Sequence, residues 1–206
     1  MNPPHSILVL RGAEVAPYLD DAARLRIAVF ADWPYLYRGD IGYERDYLAA
    51  YAASADSVFV LALAGERVVG VSTGLPLADD AAAFSEPFRA AGIAPERVFY
   101  FGESVLLPAW RGRGIGHAFF DGREAHARAL GRFRWTAFCA VDRAGDDPRR
   151  PPDYRPNDAF WRKRGYARRP GMTMWLDWNE AGVGEVAIAE VRHPLTFWLR
   201  DWGAVA

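Results

Sequence analysis

Apolar residues gather along this chain in short runs, and polar, glycine-rich or proline-rich breaks separate them. Their spacing switches between the strand period of two and the helix period of 3.6. Ile7 to Leu10 predicts a first strand. Pro17 opens a helix to about Phe30, with Leu19, Ala22, Ala23, Ile27 and Phe30 near one face. Trp33-Pro34-Tyr35-Leu36-Tyr37-Arg38-Gly39-Asp40 breaks it, and Gly42 to Ala53 predicts a second helix with Tyr43, Tyr47, Leu48 and Tyr51 at three-to-four spacing. Ser57 to Ala64 and Arg67 to Leu77 are two apolar strands joined by a Gly65-Glu66 hairpin turn. An alanine-rich helix from Asp79 to Ala91 ends at Gly92.

Val98 to Leu107 is almost wholly apolar, is too short to span a membrane and stops at Pro108, so it reads as one strand covered on both faces. After the turn Arg111 to Gly116, the residues Ile115, Phe119, Gly122 and His126 recur at helical spacing and show one face to a sheet. Phe133 to Val141 is a further buried strand. The loop Asp142 to Pro156 holds four prolines and eight charged residues. Asn157 to Arg164 is a short helix stopped by Gly165, and Asn157 suits its start. Met172 to Trp178 is a strand, Asn179 to Gly184 a turn, and the tail from Glu185 to Trp202 supplies a closing strand around Leu195 to Leu199. This order predicts an α/β fold: a mixed, mostly antiparallel twisted sheet of about seven strands, helices on both faces, in one domain over residues 1–206.

Composition narrows the function classes. The 206 residues carry a net charge of −1, which gives no basic field for nucleic acid. A single cysteine, Cys139, excludes an internal disulfide and fits a reducing, cytoplasmic setting. No cysteine cluster suggests a metal, and no apolar run is long enough for a bilayer. The first residues lack the charged and apolar parts of a signal peptide. Richness in Ala, Arg and Gly hints at a bacterial source.

The turn before the long helix carries the most specific chemistry. A helix start leaves N–H groups unpaired and bears roughly half a positive charge. Glycines let an anion approach those groups, so the turn is built to hold a phosphate or diphosphate. A P-loop needs Lys-Ser or Lys-Thr after its last glycine, and here His117-Ala118 follows; a dinucleotide fingerprint needs a third glycine where His117 stands. What remains is Arg111-x-x-Gly114-x-Gly116 between a strand and a helix. It resembles the acyl-CoA-binding motif Q/R-x-x-G-x-G/A of the GNAT N-acetyltransferase family. Asn157-x-x-Phe160-Trp161-x-x-x-Gly165-Tyr166 is similar to a second family motif in its aromatic and glycine positions, and the element order extends the resemblance over nearly the whole chain.

The resemblance implies direct transfer of an acetyl group from acetyl-CoA, as co-substrate and without a metal, to a primary amine. The acceptor is expected to be a small molecule; a protein N-terminus or lysine and a non-catalytic acyl-CoA sensor are the alternatives. Backbone groups along Val105, Leu106 and Leu107 would hold the pantetheine arm. Arg111, Gly112, Arg113, Gly114, Ile115, Gly116 and His117 would hold the diphosphate, and Asn157, Phe160 and Trp161 would flank the cofactor.

An amine with a pKa of about 10.4 must lose a proton before it attacks. Glu103, the lone carboxylate in the apolar strand, is the candidate base, with a structural glutamate bonded to backbone or arginine as the alternative; the strand period puts it beside Phe99, Phe101 and Val105, and burial means it is paired or holds a proton tightly. Gly102 removes a side chain where strands splay. Many family members carry a tyrosine acid at the position of Trp161, whose indole is no useful acid, so Tyr154 is the candidate substitute. Trp33, Tyr35 and Tyr37, in one loop, form either a packed cluster or a wall of the acceptor pocket, where aromatic faces and nearby carboxylates suit a cation. Arg149, Arg150 and Arg155 suit an acidic acceptor or the adenosine 3′-phosphate instead. Cys139, His126 and Tyr166 read as core, and Trp198 and Trp202 as core or the contact of a homodimer.

Overall fold

The computed structural model describes residues 4–181 and 189–203. Its strands are β1 Ser6–Arg11, β2 Val58–Ala64, β3 Arg67–Pro76, β4 Val98–Tyr100, β5 Ser104–Leu106, β6 Trp135–Val141, β7 Ala167–Glu180 and β8 Ala189–Asp201. Its α-helices are α1 Leu19–Phe30, α2 Ile41–Ala53, α3 Ala82–Ala90, α4 Ile115–Ala129 and α5 Asp158–Lys163. The strands form one sheet in the order β1-β2-β3-β4-β6-β8-β7, with β5 pairing to β3 off this path. The β4–β6 pair is parallel and the other pairs are antiparallel.

The sheet separates two apolar layers. Ala22, Leu25, Leu48, Tyr51 and Phe88, from α1, α2 and α3, pack on one face. Ile115, Phe119 and Phe120 of α4 pack on the other, with Phe160 and Trp161 of α5 at its margin. Gly122 marks the closest approach of α4 to the sheet, because a Cβ there would lie 2.8 Å from Val60 Cγ2.

The stretch read as one strand, Val98 to Leu107, is broken in two. From the Leu75↔Tyr100 pair to the Ser72↔Ser104 pair, β3 advances three residues while its partner advances four. The extra residue makes a β-bulge at Phe101-Gly102-Glu103 and reverses the facing of every later side chain. Phe99 and Phe101 therefore lie in the α4 layer, whereas Val105 lies in the α1–α2 layer. Glu103 does not share a face with the two phenylalanines, as an unbroken strand predicts. At Gly102 a Cβ would come within 2.7 Å of Thr73 Oγ1 and 2.8 Å of the Tyr51 ring, so packing across β3 and α2 demands the glycine.

Beyond the bulge the sheet opens. Phe101 N donates to Ala137 O at 2.7 Å, after which β5 stays with β3 while β6 stays with β8. The buried Arg123 of α4 fills the bulge: Nη1 donates to Thr73 O at 3.3 Å and Glu103 O at 3.1 Å, and Nε donates to Phe119 O. Burial pushes its pKa down to about 10, which leaves it charged at neutral pH.

Other boundaries moved. Gly12–Tyr18 is a 3-10 turn with Pro17 inside it, and α1 starts at Leu19. α3 is shorter than expected because Leu77–Asp79 is a separate 3-10 turn. β7 and β8 run well past the predicted apolar cores, since β7 is an edge strand whose outer residues are exposed and polar. The expected turn reaches only Asn179 and Glu180, which lie in β7; its end and the start of the tail fall outside the described residues. Among the described residues no helix is long and apolar enough to cross a membrane.

Candidate active site

The gap between β5 and β6 leads to the turn at the head of α4. Gly112 and Gly114 have φ of 75° and 80°, and a Cβ at either would meet nothing within 4 Å. Backbone conformation, not crowding, therefore requires glycine there. Among the described residues the amides of Gly112, Gly114, Ile115 and Gly116 have no protein acceptor. Arg111 Nε donates to Leu106 O at 3.3 Å, and Arg113 Nη2 donates to Ala109 O at 2.8 Å with its guanidinium over the Trp110 ring. His117 meets Phe160 edge-on at 4.9 Å, which brings α5 beside the turn.

The pairing of β5 corrects the expected pantetheine contacts. Leu107 N donates to Val69 O and Thr73 N donates to Glu103 O, so by strand alternation the backbone of Val105 also faces β3. The backbone groups turned toward the gap are those of Ser104 and Leu106. Of the three predicted residues only Leu106 turns its backbone to the gap, beside the exposed Ser104, while Val105 and Leu107 turn theirs to β3.

Glu103 faces α1 and α2. Its side chain is 2% exposed, and Oε2 lies 2.5 Å from Arg26 Nη1. Arg26 Nε also donates to Glu44, which is fully buried, and the Arg26 guanidinium sits 4.2 Å from the Tyr47 ring centroid. Tyr47 OH donates to Glu103 Oε2 at 3.3 Å, and Glu103 Oε1 is buried without a partner. One arginine thus serves two buried carboxylates.

A cavity of about 350 Å³ lies at the far end of β6, lined in part by Trp33, Arg143, Arg150, Tyr154, Asn157 and Trp161. Five residues singled out in the sequence meet here: Trp33, Arg150, Tyr154, Asn157 and Trp161. Tyr154 packs edge-on against Trp33, and burial raises its pKa, so the phenol keeps its proton. The Asn157 side chain makes no cap hydrogen bond, contrary to the capping role considered for it. Trp161 packs on Phe138 and Trp198 at 5.0 and 5.1 Å. Glu103, Tyr35, Tyr37 and the Arg111–His117 turn do not line this cavity.

The aromatic loop divides accordingly. Trp33 faces the cavity, but Tyr35 is packed between Phe30 and Trp178, and its carbonyl accepts from Trp178 Nε1 and Arg143 Nη2. Burial and the nearby Glu44 carboxylate raise the Tyr37 pKa above the usual phenol range. Glu180, buried in β7, gathers Arg143, Arg149 and His193 and so ties the loop to the sheet. Arg149 is therefore committed to Glu180 and Asp147 and is not available to an acidic ligand. Cys139, Tyr166 and Trp198 are core, as expected.

Sequence reasoning missed Arg26, Arg123 and Glu180, and it read Glu44, a carboxylate near the aromatic loop, as a possible partner of a cationic acceptor, whereas Glu44 is buried against Arg26. Arg26 carried a legible signal, an arginine among the apolar positions of α1. Glu180 had none, because its partners come from segments distant in sequence. Among the described residues no group of three His, Cys, Asp or Glu side chains could hold a metal.

No family profile matches the chain, and neither does any curated protein sequence. Solved structures do. A GNAT-family acetyltransferase from Streptococcus pneumoniae superposes with a TM-score of 0.55 at 12% identity, covering 95% of this chain and 99% of that one. The ribosomal-protein-alanine N-acetyltransferase of Brucella melitensis gives 0.55 at 16% identity over 94% and 99%. The yncA protein of Salmonella typhimurium, solved with its cofactor acetyl-CoA, gives 0.56 at 12% identity over 98% and 96%. At these identities the likeness speaks for the fold, and this chain has the fold of the GNAT acetyltransferases.

Proposed function

We propose that the chain is a GNAT-family N-acetyltransferase that moves an acetyl group from acetyl-CoA to a primary amine of a small molecule. One observation carries the reading: the sheet opens beside β5 at a bulge, and the mouth of the opening holds a glycine turn whose amides lack protein acceptors. A diphosphate fits those amides with Arg111 beside it. The turned-out backbone of Ser104 and Leu106 fits the amide groups of a pantetheine arm, and Asn157, Phe160 and Trp161 close its other side. Acetyl-CoA supplies the activated acetyl group.

The chain's own residues then handle protons. With 2% of its side chain exposed, Glu103 takes the amine proton through a bridging water rather than by direct contact. Tyr154, kept protonated by burial, holds a proton for the departing sulfur. The walled cavity beside Trp33 suits a small acceptor better than a peptide chain.

Free thiol release from acetyl-CoA, followed across a panel of amines and amino acids, tests the reading. Glu103→Gln is expected to lower kcat by about 100-fold, in the range of positioned proton transfer, and Arg111→Ala to raise KM for acetyl-CoA. Tight CoA binding with no thiol release from any amine would point to a non-catalytic sensor instead.

A further inference from the structure

A base that meets its acceptor through one bridging water still has to pass the collected proton on before the next turnover. The Glu103 side chain is 2% exposed and Arg26 blocks its approach from α1, so bulk solvent does not reach it. A line of hydroxyls does. Tyr47 OH lies 3.3 Å from Glu103 Oε2. Tyr47 and Tyr51 are stacked at 4.9 Å, one helical turn apart on α2. Tyr51 OH lies 3.0 Å from Asp80 Oδ2. Asp80 follows the Leu77–Asp79 turn at the partly exposed edge of the fold, and its other oxygen accepts from Ala81 N at 2.8 Å.

We propose that Tyr47, Tyr51 and Asp80 form the exit path for the proton that Glu103 collects in each turnover. The inference rests on the reading of Glu103 as base. Protonated Glu103 gives its proton to Tyr47 oxygen, Tyr47 passes its own to Tyr51, Tyr51 passes its own to Asp80, and Asp80 releases one to water. Both phenols end neutral and their hydroxyls rotate back. Burial raises both tyrosines well above the usual phenol range, which suits conduits that never ionise. Burial also raises Asp80, which lets it hold the arriving proton before release.

The other groups facing this line do not offer a rival route. Arg26 is locked between Glu44 and Glu103, and Glu44 is fully buried. Tyr100, from β4, turns its hydroxyl to Cys139 Sγ at 3.1 Å. A purely structural account explains why each hydroxyl is satisfied. It does not predict that the line leads from the sealed carboxylate to the surface.

The test uses the whole protein, acetyl-CoA, and tyramine, spermidine, glucosamine and alanine amide as amines. Tyr51→Phe keeps the ring and removes only the relaying hydroxyl. It is expected to lower kcat on the order of tenfold, a modest share of positioned proton transfer, and to enlarge the solvent deuterium effect on kcat. KM for acetyl-CoA stays unchanged. Asp80→Asn gives the same pattern, and formate or imidazole restores part of the rate in both variants. Wild-type kcat and isotope effect in Tyr51→Phe, with Glu103→Gln impaired, overturn the exit path alone. Full turnover in Glu103→Gln, or thiol release with none of the four amines, overturns the base reading and the path with it.

Discussion

Replacing Arg26 with methionine isolates the energetics of the buried charge cluster. The methionine fills similar volume, so packing is largely kept, but Glu44 and Glu103 lose the cation they share. Breaking a buried pair by removing one partner costs about 3–5 kcal/mol, because an uncompensated charge is left inside. For a domain of this size each kcal/mol moves the unfolding midpoint by about 2–4 °C, so Arg26→Met is expected to lose roughly 6–20 °C. Urea unfolding at pH 7.5 should show the same loss as a lower midpoint concentration with an unchanged slope. Adding Glu44→Gln removes one stranded carboxylate, and the double variant should recover at least about 1 kcal/mol relative to Arg26→Met, a coupling normal for residues in contact. A loss under about 1 kcal/mol, or a double variant weaker than the sum of the two singles, would refute the view that Arg26 neutralises both carboxylates.

Two further outcomes follow from buried groups. Burial pushes the Cys139 thiol up to about 12, so it should resist iodoacetamide at pH 8 in the folded protein and react once denaturant is added; mass spectrometry reads both, and reaction at the rate of a free thiol in the folded protein contradicts the burial argument. Burial also lowers the His126 pKa below its ordinary 6.5, while Nε2 lies 2.8 Å from Asp56 O. The fold therefore favours the neutral ring: its contribution is complete above about pH 6.5 and is lost as pH falls through the lower folded value. His126→Asn should flatten the decline of the unfolding midpoint between pH 7 and 5, and an unchanged decline would assign it to other groups.

The order of strands and helices was legible because each element carries its own period, and the turn at Gly112–Gly116 was legible because glycine spacing is local chemistry. The interior of the central strand was not. Val98 to Leu107 reads as one apolar run whether or not a residue is bulged out, since periodicity cannot register one extra residue in a stretch that is apolar on both faces. That one residue decides the face of Glu103 and which backbone groups meet the gap. For the same reason the turn of the Ser104 backbone toward the gap was invisible. The pairing of Glu180 with Arg143, Arg149 and His193 was illegible for a different reason, being a product of long-range closure.

The bulge also explains how one strand can serve two layers. Before it, Phe99 and Phe101 anchor the α4 layer, where the glycine turn and α5 lie; after it, Glu103 and Val105 address α1 and α2. An unbroken strand with Glu103 on the phenylalanine face would bury the carboxylate among Phe119, Phe120 and Tyr166, with Arg123 the nearest cation. Arg123 instead spends its donors on the carbonyls of Phe119, Thr73 and Glu103. It thereby satisfies the backbone that the extra residue disrupts, and it holds the opening against collapse. The carboxylate, its cation Arg26 and its hydroxyl partner Tyr47 then sit on the face opposite the glycine turn and its unpaired amides.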